Sequence, residues 1–438
     1  MSIFARALAR MSLVPRDITI EDSALAPSQV RYGLKLSIAE GALAQVFITL
    51  TAGAFLTGFL LMLGADNTTL GIVSALPFLI QPVQFVGAHL ISALGRRKPI
   101  AVIGSMGRAL WLVPLLLPYL PLSSGQRLVL LVVSLFAASA LVTVCGNAWL
   151  DWMTDLVPPR LRGRFFSTRN TGMAAMAMLV NAGGGWWLDR MRGLNREADG
   201  YAVLLGLGVL CGAVCTMLLG RQPEPPMSAP KLKLAPLAVL RAPWRNRTFR
   251  GFLITMIAWN AALAVPAAFF SAHALTVLGL PFTTLASFDV LTSAVAMLTL
   301  PMWGRLSDRW GQRRVLVICM AGTIVLPLAW VIATPETLWA LYINSTLAGI
   351  WWAGIGLTQA NRLMEHMPSE ARGAYLAAFG AFTGLAYFGA SSLGGVLADI
   401  LARMPLVVAG QTLGPYTLIF VLGSLLRGAV VLCGRRAL

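Results

Sequence analysis

Apolar residues run along this chain in long blocks, and the blocks do not alternate. Twelve can be marked, at 36–63, 69–94, 99–122, 127–150, 168–190, 201–220, 249–278, 283–304, 314–334, 337–361, 373–400 and 414–433. Each is long enough to cross a bilayer, which takes about 20 apolar residues as a helix. Lipid offers no partner to backbone N–H and C=O groups, so a helix is the default spanning element. Strands of a membrane barrel would be about 10 residues long with strict alternation. The pattern therefore predicts an all-α membrane protein of twelve transmembrane helices.

Between the sixth and seventh blocks the pattern breaks. Residues 221–248 carry Pro223, Pro225, Pro226, Pro230, Pro236 and Pro243 among crowded Lys and Arg, and proline prevents a continuous helix. The expected organisation is a cytoplasmic segment 1–35, a six-helix bundle 36–220, a cytoplasmic linker 221–248 and a second six-helix bundle 249–438. Within 1–35, Ile3, Phe4, Ala7, Leu8 and Met11 share one helical face. That suits either an interfacial helix or a frayed tail. Arg6 and Arg10 interrupt any signal-peptide core.

Composition removes other classes. Hydrophobic residues make up 57% and charged residues 12%, half of the roughly 25% charged share of soluble domains, which excludes a soluble enzyme. The net charge of +17 would suit nucleic acid, but its placement argues otherwise. Of 34 Lys+Arg, 27 fall in the tails, the linker and the connections on one side, with Arg160, Arg162, Arg164 and Arg169 assigned to the second inner loop. Five, namely Arg127, Arg190, Arg192, Arg196 and Arg403, fall on the other side. Retention of positive loops then puts both termini in the cytoplasm of a bacterial inner membrane, with no role for nucleic acid. The five cysteines lie in apolar stretches without metal spacing and read as small core residues.

The chain repeats itself. LGADNTTL at 63–70 returns as LGLPFTTL at 278–285; Leu90, Gly95, Arg97 and Lys98 return as Leu306, Gly311, Arg313 and Arg314. Pro158, Arg162 and Gly163 return as Pro368, Arg372 and Gly373, and Gly184, Gly185 and Asp189 as Gly394, Gly395 and Asp399. Four matches in order at nearly one offset make the halves parallel six-helix pseudo-repeats, an arrangement suited to carriers that rock two bundles about a midplane site.

Residues 304–314, GRLSDRWGQRR, sit between the eighth and ninth blocks and resemble the loop signature of the major facilitator superfamily. The equivalent first-half loop, AHLISALGRRK, departs from it, with Ala88 and Ser92 at the Gly and Asp positions. The proline-bearing glycine motif of many drug antiporters is absent from the fifth block, which carries Asn181 and Gly183 to Gly185. The resemblance covers about 36–433 and implies a secondary transporter with rocker-switch alternating access. It also implies an inner gate formed by Gly304, Asp308, Arg309, Gly311, Arg313, Arg314 and Arg372, with Asp308 latched to Arg372 or to the start of the eleventh helix; the other reading of these residues is a set of retention charges with no latch. The alternative is a non-transporting protein of the same fold, such as an assembly or pigment-delivery factor.

A charge at the centre of a membrane helix costs about 2.5–3.5 kcal/mol or more, so each one calls for an explanation. Asp289 heads a stripe with Thr292, Ser293 and Ala296 at helical spacing and is the first candidate for proton coupling. A carboxylate paired for packing is the other reading. Glu40 is the second candidate, open to a proton-carrying role, a gate, or a salt bridge with Lys35 or Arg108. Arg108 and Arg427 are expected to be structural and to snorkel to the interface. Gln45, Thr49, Gln81, Gln84, Asn181, Trp259, Asn260, Thr292, Ser293, Asn344, Trp351 and Trp352 are the candidates for a substrate cavity, against a background of ordinary helix-packing amides. The cavity reads as weakly charged, which disfavours a strongly anionic substrate. Four lysines complete no phosphate loop and the three histidines show no metal pattern. The expectation is a monomer in the lipid bilayer, carrying a small solute with protons, needing no cofactor or metal and doing no enzymatic chemistry.

Overall fold

The computed structural model describes residues 25–227, 241, 243–368, 372–404, 406–408 and 411–435. The interfacial helix expected near the N-terminus lies outside these residues, as do most of the linker and the side chain of Arg372.

Twelve helical spans follow one another: α1 Pro27–Met62, α2 Asn67–Leu94, α3 Lys98–Tyr119, α4 Ser124–Leu156, α5 Arg162–Gly193, α6 Glu197–Arg221, α7 Arg247–Thr276, α8 Phe282–Trp310, α9 Gln312–Ile332, α10 Trp339–Glu365, α11 Arg372–Arg403 and α12 Pro415–Gly434. Ten are long and apolar enough to cross a membrane by length and composition; α5 and α10 complete the twelve. The polar character of α5 comes from Arg162, Arg164, Arg169, Asn170, Asn181, Asp189, Arg190 and Arg192 along its length. A two-stranded antiparallel hairpin, Leu406–Val408 with Gln411–Leu413, joins α11 to α12; the sequence reading has no strand there.

Three spans are interrupted. α1 breaks at Thr51 and Ala52, where Gly53 has φ +57°, a backbone conformation that glycine adopts without steric strain. The Thr51 hydroxyl donates to the Phe47 carbonyl at 2.7 Å, an oxygen that also accepts from the Thr51 N–H at 3.1 Å. α2 breaks between Leu79 and Val83, where Pro82 supplies no N–H. α7 breaks at Ala268, just after Pro266.

The breaks separate two kinds of packing. Towards the end of the molecule that carries the α12 C-terminus and the residues after α6, called here the basic end, each bundle has its own apolar core. Val30, Leu34, Ile100, Trp152 and Leu219 build one, and Phe252, Met256, Trp259, Trp303 and Val315 the other. Towards the far end a single core draws on both, including Phe55, Phe59, Leu70, Phe269, Phe282 and Phe420. Only the far pieces of α1, α2 and α7 engage the opposite bundle extensively: Gly53–Met62 meets Phe269–Thr276, and Asn67–Leu79 runs along α11. The α5–α8 pair closes the same seam. The bundles are therefore joined at the far end and parted towards the basic end.

Candidate functional site

The seam is held by two carboxylates. Asp189, near the end of α5, accepts from the backbone N–H groups of Phe282 (2.7 Å) and Thr283 (2.9 Å) and from the Thr283 hydroxyl (2.8 Å). Asp399, near the end of α11, accepts from Asn67 N–H (3.2 Å) and Thr68 N–H (2.9 Å), the Asn67 amide (2.9 Å) and the Thr68 hydroxyl (2.6 Å). Each carboxylate thus caps the first turn of a helix in the other bundle, where unpaired N–H groups and the helix dipole favour an anion. Gly185 and Gly395 make room: a Cβ on Gly395 would lie 2.6 Å from the Asn67 carbonyl oxygen, and one on Gly185 3.1 Å from that of Phe282. The two repeated motifs meet crosswise, the Gly-Gly-Asp end of each half on the Thr-Thr start of the other.

At the basic end the expected gate residues 304–314 occupy the end of α8 and the start of α9, and the side chain of Arg372, their expected partner, lies outside the described residues. Gly311 ends α8 with φ +85° and fulfils a glycine requirement. A Cβ on Gly304 would meet nothing within 4 Å. Asp308, Arg309 and Arg314 are exposed, and Arg313 donates to the Arg435 carbonyl (2.6 and 3.2 Å) at the end of α12. The loop that departs from the signature carries the stronger ionic network. Arg97, 1% exposed, pairs with Asp151 at 2.6 Å and with Asp155, while Glu224 accepts from the N–H groups of Arg97 (2.6 Å) and Lys98 (3.1 Å). Two carboxylates four residues apart on α4, opposite an Arg aligned with Arg313, were the signal in the sequence.

Inside the first bundle lies a charge cluster. Glu40 is 3.6 Å from Arg108 and 3.2 Å from Arg169. Arg108 therefore does not snorkel: it is buried, donates to Ser105 at 2.6 Å, and fits because Gly212 has no side chain. Lys35 is not Glu40's partner among the described contacts; Arg108 and Arg169 are. Arg169 is not a loop residue either. α5 begins at Arg162, so Arg169 stands two turns inside it, 9% exposed, across Gly41 of α1. Arg427 is likewise buried and donates at 2.9 Å to the Thr323 carbonyl, which also accepts from the Leu326 N–H at the 3-10 turn of α9.

The cavity candidates divide. Phe282 faces α5 at Gly185, and Asp289, two turns further along α8, continues that face into the parted region. Asp289 and Ser293 are exposed there. Asn181, one turn before Gly185, does the same on α5. Thr292 leaves the stripe and donates to the Ser345 carbonyl of α10 at 3.1 Å, binding helix to helix. Gln45 donates to Thr49 at 3.2 Å on half-buried α1. Gln81 bonds Gln84 at the α2 break and lies against Gly384, where the seam ends. Asn260 donates to its own helix at Met256, 2.8 Å.

Three candidates are packing residues. Trp259 is 1% exposed in the second bundle's core, where a large apolar ring gains most from burial. Trp351 fills the space that Gly322 leaves on α9 and tilts against Trp303. Asn344, 9% exposed, presents its amide nitrogen to the Leu326 carbonyl (2.9 Å) and its oxygen to Trp330 (3.3 Å), tying α10 to α9. Trp352 remains exposed on α10. Among the described residues no group of His, Cys, Asp or Glu could hold a metal.

Comparison with known proteins agrees with this architecture. The chain is 33% identical over 119 residues to the class H tetracycline resistance protein of Pasteurella multocida and 32% over 109 residues to the class G protein of Vibrio anguillarum. These alignments cover 27% and 25% of the chain and span 29% and 27% of those proteins' lengths. Among solved structures, the nucleoside transporter NupG superposes with a TM-score of 0.65 at 12% identity, covering 93% of this chain and 98% of that one. The D-xylose-proton symporter gives 0.67 at 16% identity, over 91% and 97%. A bacterial homologue of the human lysosomal transporter Spinster, inward-facing and unoccupied, gives 0.65 at 13%, over 94% and 98%. The family model for the Major Facilitator Superfamily matches residues 41–390 and 265–433. With two six-helix halves, crossed repeat motifs and this match across almost its whole length, the chain belongs to the Major Facilitator Superfamily.

Proposed function

We propose that this integral membrane protein is a secondary carrier of a small solute, that it rocks its two bundles about the α5–α8 and α2–α11 seam, and that protons drive it. The observation that supports the reading is the division of the broken helices. The far pieces of α1, α2 and α7 cross between bundles, whereas their other pieces stay within one bundle. A rigid rotation of one bundle could part the far seam and bring the basic ends together without disturbing either private core. The asymmetry of basic residues supports a cytoplasmic basic end, which makes the described arrangement inward-facing.

Asp289 is the leading proton-coupling group in this reading, because it faces the parted region and no ion pair engages it among the described residues. Glu40 ranks lower, since it is already engaged by Arg108 and Arg169 inside the first bundle. The test uses paired spin labels in a background with the exposed Cys433 replaced by Ser. One pair stands at Arg164 and Arg309 at the basic end, the other at Asn195 and Gly279 at the far end. Carrier function expects the two distance distributions to change in opposite senses as pH and solute are varied. Distances that stay fixed, or that change together, count against the proposal.

A further inference from the structure

Arg169 brings a positive charge into the interior of the first bundle that one carboxylate does not balance. Glu40 faces both Arg108 and Arg169, so the cluster carries one net positive charge. Burying charge is tolerated where every member is paired and hydrogen-bonded, and Arg169 is incompletely paired. Its Nε donates to the Ser37 carbonyl (3.3 Å) and one terminal nitrogen to Glu40 (3.2 Å). The other terminal nitrogen meets only the thioether of Met173 at 3.1 Å, a weak acceptor. The guanidinium lies 4.1 Å over the ring of Trp149, whose buried Nε1–H has no partner. Neither that terminal nitrogen nor the indole N–H beneath the guanidinium has an oxygen partner. α1 packs mainly on α5 and α6 and α4 on α2 and α3, while α1 and α4 touch only sparsely. The half-buried Trp149 of α4 stands edge-on to Phe166 of α5, beside that sparsely packed α1–α4 contact.

We propose that Arg169 and Trp149 form an anion-docking site, and that the carried solute bears a carboxylate or phosphate group which takes Arg169 from Glu40. This reverses the expectation of a weakly charged cavity, and it rests on the carrier reading above. A guanidinium over an indole presents charge-assisted N–H donors and no acceptor, the recognition chemistry of an oxyanion. Exchange keeps the balance of charge: as the solute's anion engages Arg169, Glu40 retains Arg108.

The test is equilibrium binding to the purified full-length protein, read as a rise in thermal midpoint at matched ionic strength. The probes are benzoate, citrate and inorganic phosphate, with neutral benzamide as the comparison. At least one anion should stabilise the protein in a saturable way where benzamide does not. Arg169→Gln should weaken that anion roughly tenfold or more. Trp149→Phe keeps the ring but lacks the N–H and should weaken it several-fold, which serves if Arg169→Gln does not fold. Glu40→Gln removes the competing carboxylate and should tighten the anion, a change of sign that a purely structural cluster would not produce. Stabilisation by no anion, or equal stabilisation in Arg169→Gln and Trp149→Phe, overturns the site. Because no transport is measured, that failure would leave alternating access standing, whereas fixed label distances would remove the carrier reading itself.

Discussion

Gly212 and Gly41 are where the charge cluster is most sharply constrained. A Cβ on Gly212 would stand 2.8 Å from the Arg108 Cβ, and one on Gly41 2.7 Å from the Arg169 Nε. Gly220, further along α6, has nothing within 4 Å. Gly212→Ala should therefore destabilise the protein by about 1–3 kcal/mol through overpacking, seen as a lower thermal midpoint, whereas Gly220→Ala should leave it unchanged or slightly raised. Asp289→Asn keeps the side-chain shape but removes the titrating group. In proteoliposomes it should abolish accumulation driven by a pH gradient while leaving solute exchange; accumulation that persists there and in Asp289→Asn/Glu40→Gln removes coupling through these acids. Helical spacing groups Asp289, Thr292 and Ser293 on one stripe. It could not show that Thr292 meets α10, because periodicity defines a face and not its neighbour. For the same reason Trp259, Trp351 and Asn344 read as cavity residues: an amide or indole in a membrane helix has the same sequence signature whether it meets solute or another helix.

Among the elements, α5 and α11 carry the seam. Asp189→Asn would replace one of two accepting oxygens by a donor facing the Phe282 and Thr283 N–H groups, and Asp399→Asn would do the same at Asn67 and Thr68. The loss of a helix cap is worth about 0.5–2 kcal/mol. Each variant should raise the population with a long Asn195–Gly279 distance, and the double variant should raise it further. Populations identical to those of the parent protein would leave these bonds as passive packing. The internal repeat made this seam partly legible, since it aligned Asp189 with Asp399 and Thr68 with Thr283. Parallel alignment does not reveal that the partners meet across the halves, because that depends on the rotation relating the bundles. Element boundaries hid the rest. The apolar run places the start of α5 at residue 168, whereas the helix begins at Arg162, and that difference moves Arg169 from the edge of a loop to two turns inside the bundle. Pairing with Glu40 and stacking on Trp149 permit this polar turn to be buried, and neither partner is near it in sequence.

For the whole molecule, twelve helices in two halves followed directly from block lengths and the repeat, while the direction in which the bundles part did not, since in the proposed carrier one sequence serves both states. Topology is testable independently. A cysteine placed at Asp66 or Asn195 should react with a membrane-impermeant reagent on intact cells, and one at Ser228 should not; reaction at Ser228 would invert the orientation. The crossed carboxylates also set what the protein does when idle. Neither bundle can swing free by releasing its own grip, because each holds and is held, so the far side opens only when both caps let go. If each is worth about 1 kcal/mol, two together bias the resting population roughly 30-fold against opening outward. In the carrier proposed above, with its basic end in the cytoplasm, the unoccupied protein would behave as a check valve, shut to the surroundings by default through an interlock that neither half of the chain can build alone.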